Sequence, residues 1–342
     1  MPVGDIKAVA KRKAKEKAVK VVKNKVNNRG GGSKKGGGKG KKSMLPIILL
    51  VVVVLVGAGL AWHFGLLDGL LEGTQDAPPP AATVAMDGQL EMHFIDVGQA
   101  DAVLIIADNG DTMLIDAGDQ RTGGQTIVEY IQQGLGITEL TYVIGSHPHA
   151  DHIGGMDVVL NTFDVGTLLI PPISHTTRVY ERMIQAVEDN NVTTRAPAAG
   201  DIINLGGAVF TVIHPGADDN WRNLNDWSVS VHMAFGNTSM IVTGDAEHPA
   251  EEAIMARGLS LSADILRLGH HGSRTSTGQE FFEAVDPTIA VIQVGEGNKY
   301  NHPHDCVMER LETAGVRIYR NDLHGDIVIT SDGANLDVRT AR

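Results

Sequence analysis

Three histidines and an aspartate stand within six positions in HPHADH, residues 147–152, directly after the apolar run TYVIGS (141–146). Imidazole and carboxylate are the ligands zinc takes most readily, and manganese and iron accept them too. His147 and His149 alternate and can face one centre, while Asp151 and His152 follow a turn of the chain and can face a second. One loop cannot close two coordination shells, so distant loops must complete them. TGDAE (243–247) ends an apolar run with Asp245, where a carboxylate could bridge two ions, and GHHGS (269–273) ends another with His270 and His271. Taken singly, each piece reads as a polar loop or a turn. Their joint occurrence at the ends of three apolar runs favours a metal site.

The elements that must position these loops follow from the pattern around them. LEMHFI (90–95), AVLIIA (102–107), TMLI (112–115), TYVIGS, TLLI (167–170), VFTVI (209–213), VSVHMAF (229–235), SMIVTGD (239–245), ADILRLG (263–269) and TIAVIQV (288–294) read as strands. Asn109–Gly110 and Asp332–Gly333 mark hairpin turns. Helical stretches are expected at 178–189, 251–258 and 305–315, the last capped by Asp305 and closed by Gly315. Strands early and late with helices between them predict an α/β domain over 88–342. The ligand loops then fall at carboxyl ends of strands, where sites of layered α/β folds gather.

The chain's net charge of −12 hides a division. Residues 1–42 hold 15 Lys+Arg against Asp5 and Glu16, or +13; the rest has 29 − 15 = 14 basic against 41 − 2 = 39 acidic residues, or −25. Between them, residues 43–67 carry no Asp, Glu, Lys or Arg and are long enough to span a bilayer as a signal anchor. A cleaved signal peptide is the competing reading, with GLA near the end of the run. The basic flank predicts a cytoplasmic N-terminus, an extracytoplasmic catalytic domain, and contact of a disordered basic tail with inner-leaflet lipid. Residues 68–87, with PPP at 78–80, read as a spacer. The lone Cys306 excludes an intrachain disulfide framework and is expected to pack in its helix. No obligate protein partner is indicated.

HPHADH, TGDAE and GHHGS, in that order, resemble the metallo-β-lactamase superfamily, whose members are four-layer αββα sandwiches with one or two metals. IDVGQADAVLI (95–105), LIDAG (114–118), NKYNHPHD (298–305) and RNDLHGDIVITSDG (320–333) further resemble the extracellular hydrolase domain of ComEC-type competence proteins. The resemblance implies two divalent ions, zinc foremost with manganese or iron as alternatives. It assigns His147 and His149 to one ion, Asp151, His152 and His270 to the other, and Asp245 to both. His270 is preferred over His271 because it directly follows the strand, leaving His271 behind the ligands. Asn225 and Ser228, in NLNDWSVSV (223–231), stand where relatives often place another histidine; His214 and His232 are more simply structural. The chain has Ala100 and Asn321 where relatives commonly carry Gly and Thr.

The implied reaction is hydrolysis by a shared hydroxide that Asp151 orients, with His302 protonating the leaving group and Ser273, Thr275, Ser276 and Lys299 available to a phosphate. Phosphodiesters are the expected substrates, DNA or smaller ones. The negative charge of the domain argues against long nucleic acids unless Arg267, Arg274 and Lys299 line a local groove. Alternatives are hydrolysis of a lactone, lactam or thioester, and a non-catalytic metal-binding module. With one span, the sequence predicts no channel.

Overall fold

The computed structural model describes residues 88–342. The expected basic tail, membrane span and spacer lie outside the described residues, among which no helix is long and apolar enough to cross a membrane.

Among these residues strands form two sheets. The first runs β15 (Leu336–Thr340), β14 (Ile327–Ser331), β1 (Leu90–Phe94), β2 (Val103–Ile106), β3 (Thr112–Ile115), β4 (Glu139–Ile144), β5 (Asp164–Leu169), β6 (Thr193–Arg195). The second runs β13 (Arg317–Arg320), β12 (Ile289–Ile292), β11 (Ile265–Arg267), β10 (Thr238–Val242), β9 (Ser230–Phe235), β8 (Ala208–His214), β7 (Ile202–Leu205). Each sheet joins an antiparallel half to a parallel half: β3 to β6 in one, β10 to β13 in the other.

Alternation of side chains decides what lies between the sheets. Leu90, Met92 and Phe94 of β1 face inward and pack in one cluster with Phe210, Met233 and Met240 of the second sheet. The opposite face of the first sheet, through Leu104, Leu114, Val143 and Leu168, meets α1 (Gly123–Val128), α2 (Met156–Thr162) and α3 (Arg178–Asp189). Ile213, Ile241, Leu266 and Ala290 of the second sheet meet α4 (His248–Ala256), α5 (Gln279–Val285) and α6 (Asp305–Thr313). Three apolar layers thus separate four structural ones, helix–sheet–sheet–helix. Each large side chain so buried contributes roughly 1.5–3 kcal/mol.

The helix over 178–189 lies where its spacing puts it, capped by Thr177. The expected 251–258 helix begins earlier, at His248 with a proline in its first turn. Asp305 is the first residue of α6 rather than its cap, which is His304, and Cys306 is exposed on that helix rather than packed. Sequence spacing missed α1, whose GGQTIV has two poor helix formers. Tertiary packing of Ile127, and of Ile131 in the π-helical turn that follows, overrides that propensity.

Candidate metal centre

The centre is built where strands from both sheets end. Asp116 follows β3; Ser146 to His152 follow β4; Asp245 follows β10; His270 and His271 follow β11. Gly244 has φ +56, and a Cβ there would meet the Ser228 hydroxyl at 2.9 Å and Ser146 Cβ at 3.0 Å. Only glycine lets the β10 turn come close enough to aim Asp245 at the HPHADH loop.

Asp116 organises the first loop. Its carboxylate accepts from the Ser146 amide and hydroxyl, each at 2.7 Å, and lies 2.7 Å from His152 Nδ1. That turns His152 Nε2 toward Asp245, 3.1 Å from Oδ2. His271 Nδ1 donates to the Gln293 carbonyl at 2.9 Å, leaving Nε2 3.5 Å from Asp151 Oδ2 and 4.0 Å from Asp245 Oδ2. Asp151, His152, Asp245 and His271 each therefore offer one ligand atom, all within 4.8 Å of one another. A second such group, Asp101, Asp116 and His152, lies behind it.

These donors fit divalent ions. His152 Nε2, His271 Nε2 and Asp245 Oδ1 are buried without a hydrogen-bond partner, although carboxylate and imidazole stand close together. Both imidazole nitrogens face the Asp245 carboxylate, at 3.1 and 4.0 Å from Oδ2, within the spacing that ligands of one ion take. Charge gives the same answer. Asp101, Asp116, Asp151 and Asp245 bring −4 and Arg267 brings +1, leaving −3; one dication leaves −1, and two leave +1 for an anion to neutralise. Burial opposes charge on His271, yet Asp101 and Asp245 outweigh it and push the imidazole up to about 10. Likewise, burial opposes charge on His152, but Asp245, Asp116 and Asp101 raise it well above the usual range. The carboxylates attract positive charge that only protons satisfy in the metal-free chain. Asp151, about a third of whose side chain is exposed, opens the group to solvent.

A family model described as the metallo-beta-lactamase superfamily matches residues 95–296. The chain belongs to this superfamily. Its relatives include ComE operon protein 3 of Bacillus subtilis, 30% identical over 69% of this chain and 32% of that protein. Recombination protein 2 of Haemophilus influenzae is 30% identical over 74% of this chain and 30% of its own length. Competence protein ComA of Neisseria gonorrhoeae is 28% identical over 77% and 34% respectively. The chain thus spans about a third of the length of the curated relatives it matches. It is a metallo-beta-lactamase-fold hydrolase related to competence proteins.

Within this superfamily member the expected site residues divide. Asp151, His152 and Asp245 come together as the sequence placed them. His147 and His149 lie alongside, with His147 Nε2 2.8 Å from His149 Nδ1 and 3.9 Å from Asp245 Oδ2. The preference for His270 over His271 is reversed. Both residues have left-handed backbones, φ 52° and 56°, so the chain folds back on itself and its second histidine points inward. His271 is buried beside Asp151. His270 instead sets Nδ1 3.2 Å from Thr275 Oγ1 and 3.5 Å from Glu247, with Nε2 3.7 Å from Asp245.

Ser228 stands behind the ligands: its hydroxyl accepts from the Asp245 amide at 3.0 Å and lies 3.3 Å from His147 Nδ1. Asn225 donates to Glu247 at 3.0 Å, as does Thr275 at 3.2 Å, making Glu247 a hub of the rim that TGDAE contained but spacing did not single out. Ser276 is fully buried and donates to the Ala246 carbonyl, so it faces no phosphate; Ser273 is nearly buried, and only Thr275 is exposed. Arg267 lines no groove: it too is fully buried. Asp96 lies apart, accepting from Gly98 and paired with Arg342.

His302 stacks 6.2 Å from His271, and its Nδ1 is buried without a partner. Burial, then the neighbouring His271, His270 and His304, push it down to about 4. It is a neutral imidazole at pH 7, better suited to hydrogen-bonding a substrate than to the leaving-group protonation expected of it.

His214 and His232 join neither ligand group. His232 lies 3.0 Å from the Ser262 carbonyl. His214 is fully buried; its Nε2 donates to the Asp226 carbonyl at 2.7 Å and its Nδ1 accepts from Arg257 at 3.1 Å. Burial is the first cause that holds it down, at about 4. Since the folded value lies below the unfolded 6.5, neutral His214 stabilises the fold above pH 6.5 and loses that contribution as pH falls toward 4. Unfolding of the metal-free protein should therefore show a His214-dependent loss of about 2 kcal/mol between pH 7.5 and 5. His214→Gln, measured in parallel, should lack it; an identical pH slope in both proteins would reject the assignment.

Proposed function

We propose that this protein hydrolyses phosphodiesters at a two-metal centre, with nucleotide-containing substrates preferred. The observation that carries the reading is the convergence of Asp151, His152, Asp245 and His271, three of them with buried ligand atoms left unpaired. His147 and His149 would complete one ion's shell, Asp151, His152 and His271 the other's, with Asp245 between them. Zinc suits this imidazole–carboxylate set, and manganese or iron would fit as well. Bound ions would supply an activated water and polarise the phosphoryl oxygen. Asp151 reaches toward solvent and is placed to orient the attacking water; Thr275, exposed on the rim, would donate to a phosphate oxygen only by turning its hydroxyl away from Glu247. The apolar run 43–67 and its basic flank support a membrane-tethered, extracytoplasmic placement.

A stack of rings leading out of the site supports nucleotide substrates. From His271 it continues through His302 to Tyr300, whose rings lie 5.6 Å apart and 25° from parallel, and ends with Lys299 Nζ 5.0 Å from the Tyr300 ring. Asn298 holds this loop in shape: its amide donates to the carbonyls of Gly295 and His302, and its oxygen accepts from the Tyr300 and His302 amides. Tyr300, half exposed, is thus a fixed platform for a base, and Lys299 is placed for a neighbouring phosphate.

The test assays bis-p-nitrophenyl phosphate, single-stranded DNA and a glycerol-phosphate polymer with added zinc or manganese, against Asp151→Ala. Turnover of the first two, absent in the variant, supports the proposal. Metal binding without turnover of any phosphodiester would reject it in favour of lactone, lactam or thioester hydrolysis. Tyr300→Ala should raise KM for DNA roughly tenfold, within the range of one lost base stack, and leave the glycerol-phosphate rate unchanged. An equal effect on both polymers would remove the base-stacking role.

A further inference from the structure

Asp101, which lies within IDVGQADAVLI and in the group behind the centre, forms an ion pair with Arg267 that the four converging ligands leave unexplained, and both are almost wholly enclosed, at 3% and 0% exposure. Asp101 precedes β2 in the first sheet and Arg267 ends β11 in the second, so the pair crosses between the sheets. Its surroundings are specific. Asp101 Oδ1 lies 3.2 Å from His271 Nδ1, and Asp101 Oδ2 lies 3.5 Å from His152 Nδ1. The main chain of Asp101 donates to the Asp151 carbonyl at 3.1 Å and accepts from Gly118 at 2.8 Å. Arg267 Nη1 donates to the carbonyl of Gly244, the residue before Asp245, at 2.8 Å. One pair therefore touches each of the four converging residues or its immediate neighbour.

Enclosing an ion pair is costly, and well-packed apolar side chains are often as stable in its place or more so. Stability alone therefore does not explain a carboxylate and a guanidinium here. Their arrangement does explain how loops from two sheets keep a common register. We propose that Asp101 and Arg267 are positioning residues for the metal centre. Arg267 sets the Asp101 carboxylate and the Asp245 turn at once, and the Asp101 charge backs the Nδ1 sides of His271 and His152, reinforcing the orientation that Gln293 and Asp116 give them, with Nε2 toward the shared ion. This rests on the metal-centre assignment but not on the substrate, so it is tested by binding rather than by turnover.

The test is equilibrium binding of Zn²⁺ and Co²⁺ to the full-length protein, together with the visible spectrum of the Co²⁺ form and thermal unfolding of the metal-free form. Asp101→Asn strands an enclosed guanidinium and risks misfolding. The decisive variant is Asp101→Leu with Arg267→Met, which removes both charges. Its metal-free form should unfold within a few degrees of wild type. Its metal affinity should fall roughly 10- to 100-fold, the usual cost of losing groups that orient ligands, with an altered Co²⁺ spectrum. Affinity within twofold of wild type and an unchanged spectrum would overturn the proposal. Should the double variant not fold, Arg267→Lys decides. It keeps the charge but cannot bridge Asp101 and Gly244, so severalfold weaker binding supports the role and unchanged binding overturns it. Weak binding by wild type itself would instead remove the metal-centre assignment.

Discussion

His271→Ala should lower turnover roughly a thousandfold, equivalent to about 4 kcal/mol of transition-state stabilisation, and lose one of two bound ions. His270→Ala, one residue away, should cost about tenfold or less and retain both. The contrast follows from position. His271 is buried, with Nδ1 committed to the Gln293 carbonyl, so Nε2 has no role but to face Asp151 and Asp245. Its removal leaves two carboxylates without the imidazole between them. His270 leans on Thr275 and Glu247 and is partly exposed, so its loss loosens the rim. Metal content by mass spectrometry and kcat/KM on the small phosphodiester measure both. Equal losses for the two variants, or a greater loss at His270, would return the ligand role to His270 and undo the geometry proposed for the second ion.

That pair of residues also marks where sequence reading stops. HPHADH, TGDAE and GHHGS were legible because ligands need particular side chains, and strand ends are where layered folds present them. Which of two adjacent histidines turns inward is set by two successive left-handed residues, and polarity carries no trace of that. Arg267 shows the same limit. An arginine at the end of an apolar run reads as a surface residue, since arginine is rarely fully buried without a partner. Its partner, Asp101, lies 166 positions earlier on the other sheet, so only the fold brings them together. Ser276 was read by proximity to GHHGS as phosphate-facing, but the left-handed Thr277 turns that stretch back and its hydroxyl is spent on Ala246. The α/β class was clear from the apolar runs and the helical stretches between them, whereas the four layers followed only from the resemblance, and helices such as α1 are held by packing against the sheet rather than by propensity.

Removing the metal should destabilise the domain about as much as truncating a large core side chain. Four carboxylates stand around one guanidinium, three of them nearly enclosed, and in the metal-free chain only protonated imidazoles offset the excess. An ion that binds the folded chain alone adds about 4 kcal/mol when present at a thousand times its Kd, so stripping it should lower Tm by roughly 10 °C. The direction with pH follows from the same groups. His271, pushed up to about 10, holds a proton at pH 7 that an incoming ion must displace. Raising the pH weakens that competition, tightens binding, and widens the gap between loaded and stripped protein from pH 6 to 8. Thermal unfolding at three pH values, with a chelator and with saturating zinc or manganese, measures the gap. A Tm indifferent to the chelator would mean that the carboxylates and imidazoles satisfy one another without an ion. A gap that is large but flat with pH would mean that the ion enters beside protonated imidazoles and takes its ligands elsewhere.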